Sequence, residues 1–298
     1  MEDSTGLQVR WRVRSGVQRF TGTVDGPKPH WDPRLVPPPN KSPEPGHSGL
    51  SRDPNLLAQA DRLNAADLQI DATFARRTAS PAAERAWREA TDEGHRARER
   101  MYPESFWRDA RALANGDTNA IEPALIFLET DPWCFRSGYV KADLMRYLSR
   151  IPLTGSQERR IERILLHLVD VGDRREFGYA CRLARAIHRE TLISALKARL
   201  KSEDRSQVRR ALQMLVSVPN PPFDGDELRA ARNLVREEGL TQWAALGRDT
   251  ERMSPDWDLD AEIPQEHNRQ LHRWVGRVAP RLGLDRYSLE LNGRHAGT

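Results

Sequence analysis

The chain has 298 residues, which is enough for one large or two ordinary domains. Its 38% hydrophobic residues can supply a core, whereas 30% charged residues and 20 prolines predict that part of the chain lies outside that core. No apolar run approaches the roughly 18 residues of a membrane-spanning helix, and the N-terminus lacks the basic-then-apolar pattern of a secretory signal. The chain has two cysteines without CxxC spacing, and we therefore expect a cytoplasmic protein. Because no membrane-spanning run is present, we also expect that it does not bind membranes.

Residues 1–53 are predicted to form an N-terminal arm outside the core. Apolar and polar residues alternate on both sides of Trp11, a pattern typical of strands, and this alternation predicts a β-hairpin over 7–23. The stretch after Gly26 is rich in proline and poor in core-forming residues. It is predicted to be a mostly disordered or polyproline-type linker.

An α-helical domain is predicted over 54–285, followed by a short tail over 286–298. Its first two helices have strong start signals, because each has a capping residue directly before a proline at the first helical position: Asp53-Pro54 and Ser80-Pro81. Three later pairs have the spacing of a capping box, in which the side chain of each residue accepts the backbone N–H of the other. The pairs are Asn119 with Glu122, Thr154 with Gln157, and Asp173 with Glu176.

The core of the domain is predicted to be a helical array over 131–237. Five amphipathic helices follow one another there, with apolar residues at helical spacing, as in Tyr139, Val140, Leu144 and Leu148. Short links between them predict antiparallel helix pairs. The expected fold is therefore all-α.

One helix of this array resembles the first helix of a HEAT repeat: Gln207-Val208-Arg209-Arg210-Ala211-Leu212-Gln213-Met214-Leu215. Helix pairs recur with a loose period of roughly 30–35 residues, so the resemblance extends over about 139–237. It implies a HEAT-like α-solenoid, a fold used mostly as a binding scaffold, and it brings no catalytic residues with it. An irregular helical bundle is the alternative that the residues leave open.

The chain carries no motif for catalysis or cofactor binding, such as GxGxxG, GxxxxGK[ST], GxSxG or HExxH. We therefore expect no cofactor and no metal, and a non-catalytic role is favoured over an enzyme. The histidines are scattered, and His167 and His188 are expected to be solvated at the polar edges of their helices. Cys181 lies on the apolar stripe of its helix and is expected to be a packed thiol.

Charge is distributed unevenly. Residues 136–210 contain 18 Lys and Arg against 9 Asp and Glu, a net charge of +9, whereas the whole chain has +4. Arginines on stacked helices can follow a phosphate backbone, and aromatic side chains can stack on bases or grip a peptide. These residues are the candidates for binding a macromolecule: Arg159, Arg163, Arg175, Arg182, Arg185, Arg189, Trp133 and Phe135, with Tyr139 in the same aromatic cluster. A solvated charged surface and an aromatic plug between helical units are the alternative interpretations.

Two functional hypotheses follow. The first is a non-catalytic scaffold that binds a protein partner through a helical surface. The second is a nucleic-acid-binding protein, or a nucleic-acid enzyme, that uses the basic helices; some DNA glycosylases are built from HEAT-like helices, but none of their active-site residues maps onto this chain. A neutral or apolar groove would favour a protein partner, and a deep pocket holding a carboxylate would favour an enzyme. Nucleic acid would be favoured if five arginines cluster on one face: Arg175, Arg182, Arg185, Arg189 and Arg209.

Overall fold

A computed structural model of the chain describes residues 50–172, 174–219, 223–237 and 274–284. These residues are mostly helical and contain no β-strand, which confirms the all-α prediction for this part of the chain. No helix among them combines the length and the apolar character needed to cross a membrane. The predicted hairpin, proline-rich linker and C-terminal tail lie outside the described residues.

The first two helices, α1 (Pro54–Phe74) and α2 (Pro81–Met101), pack against each other. Both begin at the predicted proline. The Asp53 carboxylate and the Ser80 hydroxyl accept backbone N–H groups of the first turn, as expected of N-cap residues.

The next part contains α3 (Glu104–Ala114), a 3-10 turn (Thr118–Ala120) and α4 (Ile121–Thr130). The predicted capping role of Asn119 is wrong. Asp117 caps this part instead, because its carboxylate accepts the backbone N–H of Asn119, which lies inside the 3-10 turn. Because α4 follows the 3-10 turn directly, its N-cap position falls on Ala120, and the helix begins without a side-chain cap.

The predicted array of five helices is present: α5 (Ser137–Leu148), α6 (Gly155–Val171), α7 (Phe177–Ile187), α8 (Glu190–Arg199) and α9 (Arg205–Leu215). The Thr154–Gln157 capping box is confirmed, since each side chain accepts the backbone N–H of the other residue. The third predicted box, Asp173 with Glu176, is wrong at Glu176, which is itself the N-cap residue of α7 and whose side chain makes no capping hydrogen bond; Asp173 lies outside the described residues.

Helices that alternate along the chain pack on one another. One layer contains α3, α5, α7 and α9, and the other contains α4, α6 and α8. Apolar stripes from both layers meet in the main core, where large side chains such as Leu148, Leu165 and Leu183 are completely buried. This packing places α5, α7 and α9 side by side.

A second, smaller core joins the helical segments 225–237 and 274–278 to α9. Leu212 and Val278 are buried in it, and the indole N–H of Trp274 donates to the backbone carbonyl of Arg209 at 3.0 Å. The chain therefore returns, about 65 residues later in sequence, to lie beside the layer formed by α5, α7 and α9.

The capping box permits a first prediction. We expect Thr154→Ala to lower the free energy of unfolding by about 1 kcal/mol, because the first turn of α6 loses a side-chain acceptor. Urea denaturation at neutral pH would measure it. Thr118→Ala, at an exposed threonine, is the matched control and should change stability by less than about 0.5 kcal/mol. Equal losses in the two variants would contradict the prediction.

Candidate functional site

A cleft of about 1180 Å³ lies between α5, α7, α9 and residues 274–281. Eight of its described lining residues are arginines: Arg174, Arg175, Arg182, Arg185, Arg209, Arg210, Arg277 and Arg281. Asp143 is the one carboxylate residue among the described lining residues, and it is already paired with Arg146 at 2.8 Å. The cleft therefore carries a strong positive charge.

The amphipathic pattern of α7 explains how it contributes to this cleft. Phe177 and Cys181 are buried on its core side, whereas Arg182 and Arg185 are exposed one turn apart. Because α7 lies between α5 and α9 in its layer, its exposed arginines come to line the centre of the cleft.

Four of the arginines, Arg175, Arg182, Arg185 and Arg277, have neither a carboxylate within ion-pair distance nor a side-chain hydrogen bond in the part of the chain that the structure describes, whereas Arg281 donates to the Val216 carbonyl. Two of them lie over tyrosine rings. The guanidinium carbon of Arg175 is 3.7 Å from the centroid of the Tyr139 ring, and that of Arg182 is 5.0 Å from the Tyr179 ring. Stacking of this kind orients a guanidinium group without neutralising its charge.

Other cleft arginines are held by buried acceptors. Arg174 donates through Nη1 to both carboxylate oxygens of Asp131, at 2.6 and 2.7 Å. Arg210 is buried, and its Nε donates to the backbone carbonyl of Val169 at 2.7 Å. Part of the positive lining is therefore fixed in place by the protein core.

Arg174 belongs to a group of ionisable side chains that reaches from the core to the edge of the cleft. We call this group the Asp131 cluster, and its members are Asp131, Lys141, His167, Arg174 and Glu176. Lys141 Nζ donates to Asp131 Oδ1 at 2.6 Å, and its side chain is only 1% exposed. His167 Nε2 donates to Asp131 Oδ2 at 3.2 Å. The expectation that His167 is solvated is therefore wrong, since the residue is 5% exposed, whereas His188 is exposed as expected.

The charges in this cluster control the ionisation of Asp131. Burial alone would raise the pKa of Asp131, but Lys141, His167 and Arg174 together lower that pKa below its usual range. Glu176 adds a second buried carboxylate, with Oε1 at 3.9 Å from Lys141 Nζ. Asp131 is consequently ionised at neutral pH and holds Arg174 at the edge of the cleft.

The structure separates the six predicted arginines into two groups. One group lines the cleft: Arg175, Arg182 and Arg185. The other group does not line it: Arg159, Arg163 and Arg189. This second group lies on or next to α6 and α8, which belong to the other helical layer.

Arg163 and Arg189 have roles in packing rather than in the cleft. The Arg163 guanidinium lies 3.6 Å from the buried carboxylate of Glu129. Arg189 bridges α6 to the start of α8, at 2.9 Å from Glu158 and 3.1 Å from Glu162. These ion pairs lower the positive charge available on that surface.

The predicted aromatic residues Trp133 and Phe135 lie in the loop between α4 and α5, outside the cleft lining. They are 37% and 48% exposed. Side chains of earlier helices hold the loop through its backbone: Asn64 Nδ2 donates to the Trp133 carbonyl, and the Tyr102 hydroxyl donates to the Phe135 carbonyl. The loop is thus fixed against α1 and the end of α2, and it forms neither a core plug nor part of the cleft.

Sequence reasoning missed the Asp131 cluster, although one signal for it was present. Lys141 lies three, four and seven residues before Leu144, Met145 and Leu148, so it shares their buried face. A lysine in that register predicts a buried partner of opposite charge. The identity of the partner, Asp131, depends on how α4 ends and could not be read from spacing.

The described part of the chain gives no specific indication of metal or nucleophilic chemistry. Among the described residues, no group of three or more His, Cys, Asp or Glu side chains is arranged to hold a metal ion. Burial raises the pKa of Cys181 to about 12, so this thiol at the cleft wall is protonated at neutral pH. The chemistry that the cleft supports best is the binding of anions.

Comparison of the chain with protein families, with curated proteins and with solved structures finds no significant match.

Proposed function

We propose that this protein binds nucleic acid through the arginine-lined cleft. The observation that carries the proposal is the set of eight arginines around one cleft, with a single carboxylate residue among the described lining residues. The planar guanidinium group offers two parallel N–H donors to phosphate oxygens, and each contact releases counterions from the polyanion. Arginines that bind no protein carboxylate retain their full charge for this purpose.

The proposal favours the second of the two hypotheses from the sequence. A protein partner was expected to fit a neutral or apolar groove, and this cleft is neither. Clustering of five arginines on one face was expected to favour nucleic acid. Four of these five line the cleft: Arg175, Arg182, Arg185 and Arg209. Among the described lining residues, Asp143 is the one carboxylate that an enzyme could use, and its pairing with Arg146 does not favour catalysis.

The proposal includes a HEAT-like arrangement of the helices and a cytoplasmic location. Packing between alternate helices in two layers is what a solenoid requires, and it supports the HEAT-like arrangement over an irregular bundle. In such an arrangement, one layer presents a continuous surface to a long ligand. The helices α5, α7 and α9, which line the cleft, belong to one such layer.

The test is binding of a fluorescent mixed-sequence oligonucleotide, as a single strand and as a duplex, across a salt series. If the four arginines without a described ion pair or side-chain hydrogen bond each contact a phosphate, log K should fall with log [salt] at a slope of about −3. Charge reversal at Arg175→Glu, Arg182→Glu and Arg185→Glu together should lower affinity at 50 mM salt by roughly 100-fold or more and reduce the slope.

The matched control reverses three exposed arginines outside the cleft lining, namely Arg85→Glu, Arg108→Glu and Arg159→Glu. Both variants change the net charge by the same amount, so only a localised site distinguishes them. Equal losses in both, or no binding of wild type to any nucleic acid at low salt, would overturn the proposal. Tighter binding of polyglutamate than of nucleic acid would replace it with a scaffold for acidic protein segments.

A further inference from the structure

We infer that the cleft takes single-stranded rather than double-stranded nucleic acid, with bases stacked on two Arg–Tyr pairs, Arg175 with Tyr139 and Arg182 with Tyr179. The inference rests on the proposed function and names the form of nucleic acid that the site accepts. Three features of the cleft support it: the exposed ring of Tyr139, the pairing of two tyrosines with arginines, and the cleft's size.

The exposure of Tyr139 is the first feature. This residue continues the apolar stripe of α5 in the sequence, yet its side chain is 51% exposed. Val140 and Leu144 on the same helix are buried. A large ring that is left out of the core but lines a charged cleft is available to a ligand.

The two Arg–Tyr pairs are the second feature. One pair joins α5 to the turn before α7, with Arg175 at 3.7 Å from the Tyr139 centroid. The other lies within α7, with Arg182 at 5.0 Å from the Tyr179 centroid. Each pair combines flat surfaces that can stack on a base with a cation that can meet the neighbouring phosphate. Bases inside a duplex are covered on both faces by neighbouring bases, so the tyrosine and guanidinium surfaces can stack only on the bases of an unpaired strand.

The third feature is size. A volume of about 1180 Å³ exceeds the roughly 300–1,000 Å³ of sites for drug-sized ligands, so the cleft has room for more than one nucleotide. A cube of this volume measures roughly 11 Å on each side. At about 3.4 Å per phosphate along one strand, roughly three phosphates fit across that length.

The test compares four fluorescent 12-nucleotide probes with the full-length protein at one salt concentration: single-stranded RNA, single-stranded DNA, a blunt DNA duplex, and an abasic strand of the same length. We expect either single strand to bind at least tenfold tighter than the duplex. Tyr139→Ala and Tyr179→Ala should each weaken single-strand binding by roughly 5- to 150-fold and leave binding of the abasic strand unchanged. Tyr139→Phe and Tyr179→Phe should retain binding, because stacking needs the ring and not the hydroxyl.

Tyr147→Ala is the matched control, since Tyr147 is another tyrosine of α5 with an arginine over its ring but does not line the cleft. Circular dichroism and a melting curve establish that each variant is folded, and the phenylalanine variants provide the comparison if an alanine variant is not. A duplex bound as tightly as the single strands, or equal losses on the abasic strand, would overturn the inference while the proposed function stands. Absence of binding to all four probes would overturn the proposed function itself.

Discussion

Lys141→Met is expected to lower the free energy of unfolding by about 3 kcal/mol, the lower end of the range for breaking a buried ion pair, because it removes the most buried of the cations that compensate two buried carboxylates, Asp131 and Glu176. Methionine fills nearly the same volume, so a cavity does not contribute to the loss. The lysine lies at 2.6 Å from Asp131 and 3.9 Å from Glu176, and its side chain is 1% exposed, whereas that of Arg174 is 15% exposed. Without it, Glu176 retains only Arg174, at 4.0 Å. Urea denaturation monitored by circular dichroism measures the change.

Lys197→Met is the matched control for this prediction. Lys197 forms a similar ion pair with Glu227 at 2.8 Å, but both side chains are partly exposed to solvent. Water screens such a pair, so its loss should change the free energy of unfolding by no more than about 1 kcal/mol. A loss at Lys141 no larger than at Lys197 would mean that the buried cluster does not contribute as proposed.

Asp131→Asn is expected to destabilise the protein most at neutral pH and progressively less in acid. The pKa of Asp131 in the folded state lies below its usual value of 3.8, as a result of Lys141, His167 and Arg174. A lowered folded-state pKa means that the unfolded chain takes up the proton first as the pH falls. The stabilisation from the ionised carboxylate is therefore fully present above about pH 5 and is lost as the pH falls through and below about 4.

The measurement is the free energy of unfolding of wild type and Asp131→Asn from pH 7 to pH 2.5. The difference between them should be about 3–5 kcal/mol at pH 7, the amount typical of breaking a buried pair, and should narrow below pH 5. Asparagine is a clean replacement because Asp131 has a φ of 53°, a left-handed conformation that asparagine also tolerates. A difference that stays constant with pH would show that the carboxylate charge is not what stabilises this site.

Asp143→Asn serves as the control for the acid measurement. Asp143 also pairs with an arginine, Arg146, but more than half of its side chain is exposed. Its replacement should cost no more than about 1 kcal/mol at pH 7. The comparison separates a general loss of negative charge from the specific role of the Asp131 cluster.

Local signals in the sequence were sufficient for most helix boundaries. Asp53 and Thr154 cap helices as predicted because a capping hydrogen bond joins residues within one turn, and its partners are adjacent in the sequence. Asn119 failed because a 3-10 turn, capped by Asp117, precedes α4 and places Asn119 inside that turn. Glu176 failed because its side chain is buried near Lys141, which lies 35 residues earlier and is not visible to a local rule.

The candidate site was predictable only in part. Arg182 and Arg185 were correctly placed on the polar face of α7, because helical periodicity alone decides which residues share a face. Arg159, Arg163 and Arg189 belong to the same basic stretch of sequence and also lie on or next to amphipathic helices, yet they do not line the cleft. The spacing of residues within one helix does not determine which neighbouring helices that helix packs against.

The sequence by itself determined that the described part of this protein is helical, where most of its helices begin, and that its centre is basic. Those properties depend on interactions within one or two helical turns and on composition. Only the tertiary structure decided that Arg277 and Arg281 join α7 in one cleft, and that Lys141 and His167 meet Asp131 in the core. These groupings arise from the packing of apolar stripes between helices distant in sequence. Because such packing is non-directional, many arrangements satisfy the same local pattern, and the fold selects one.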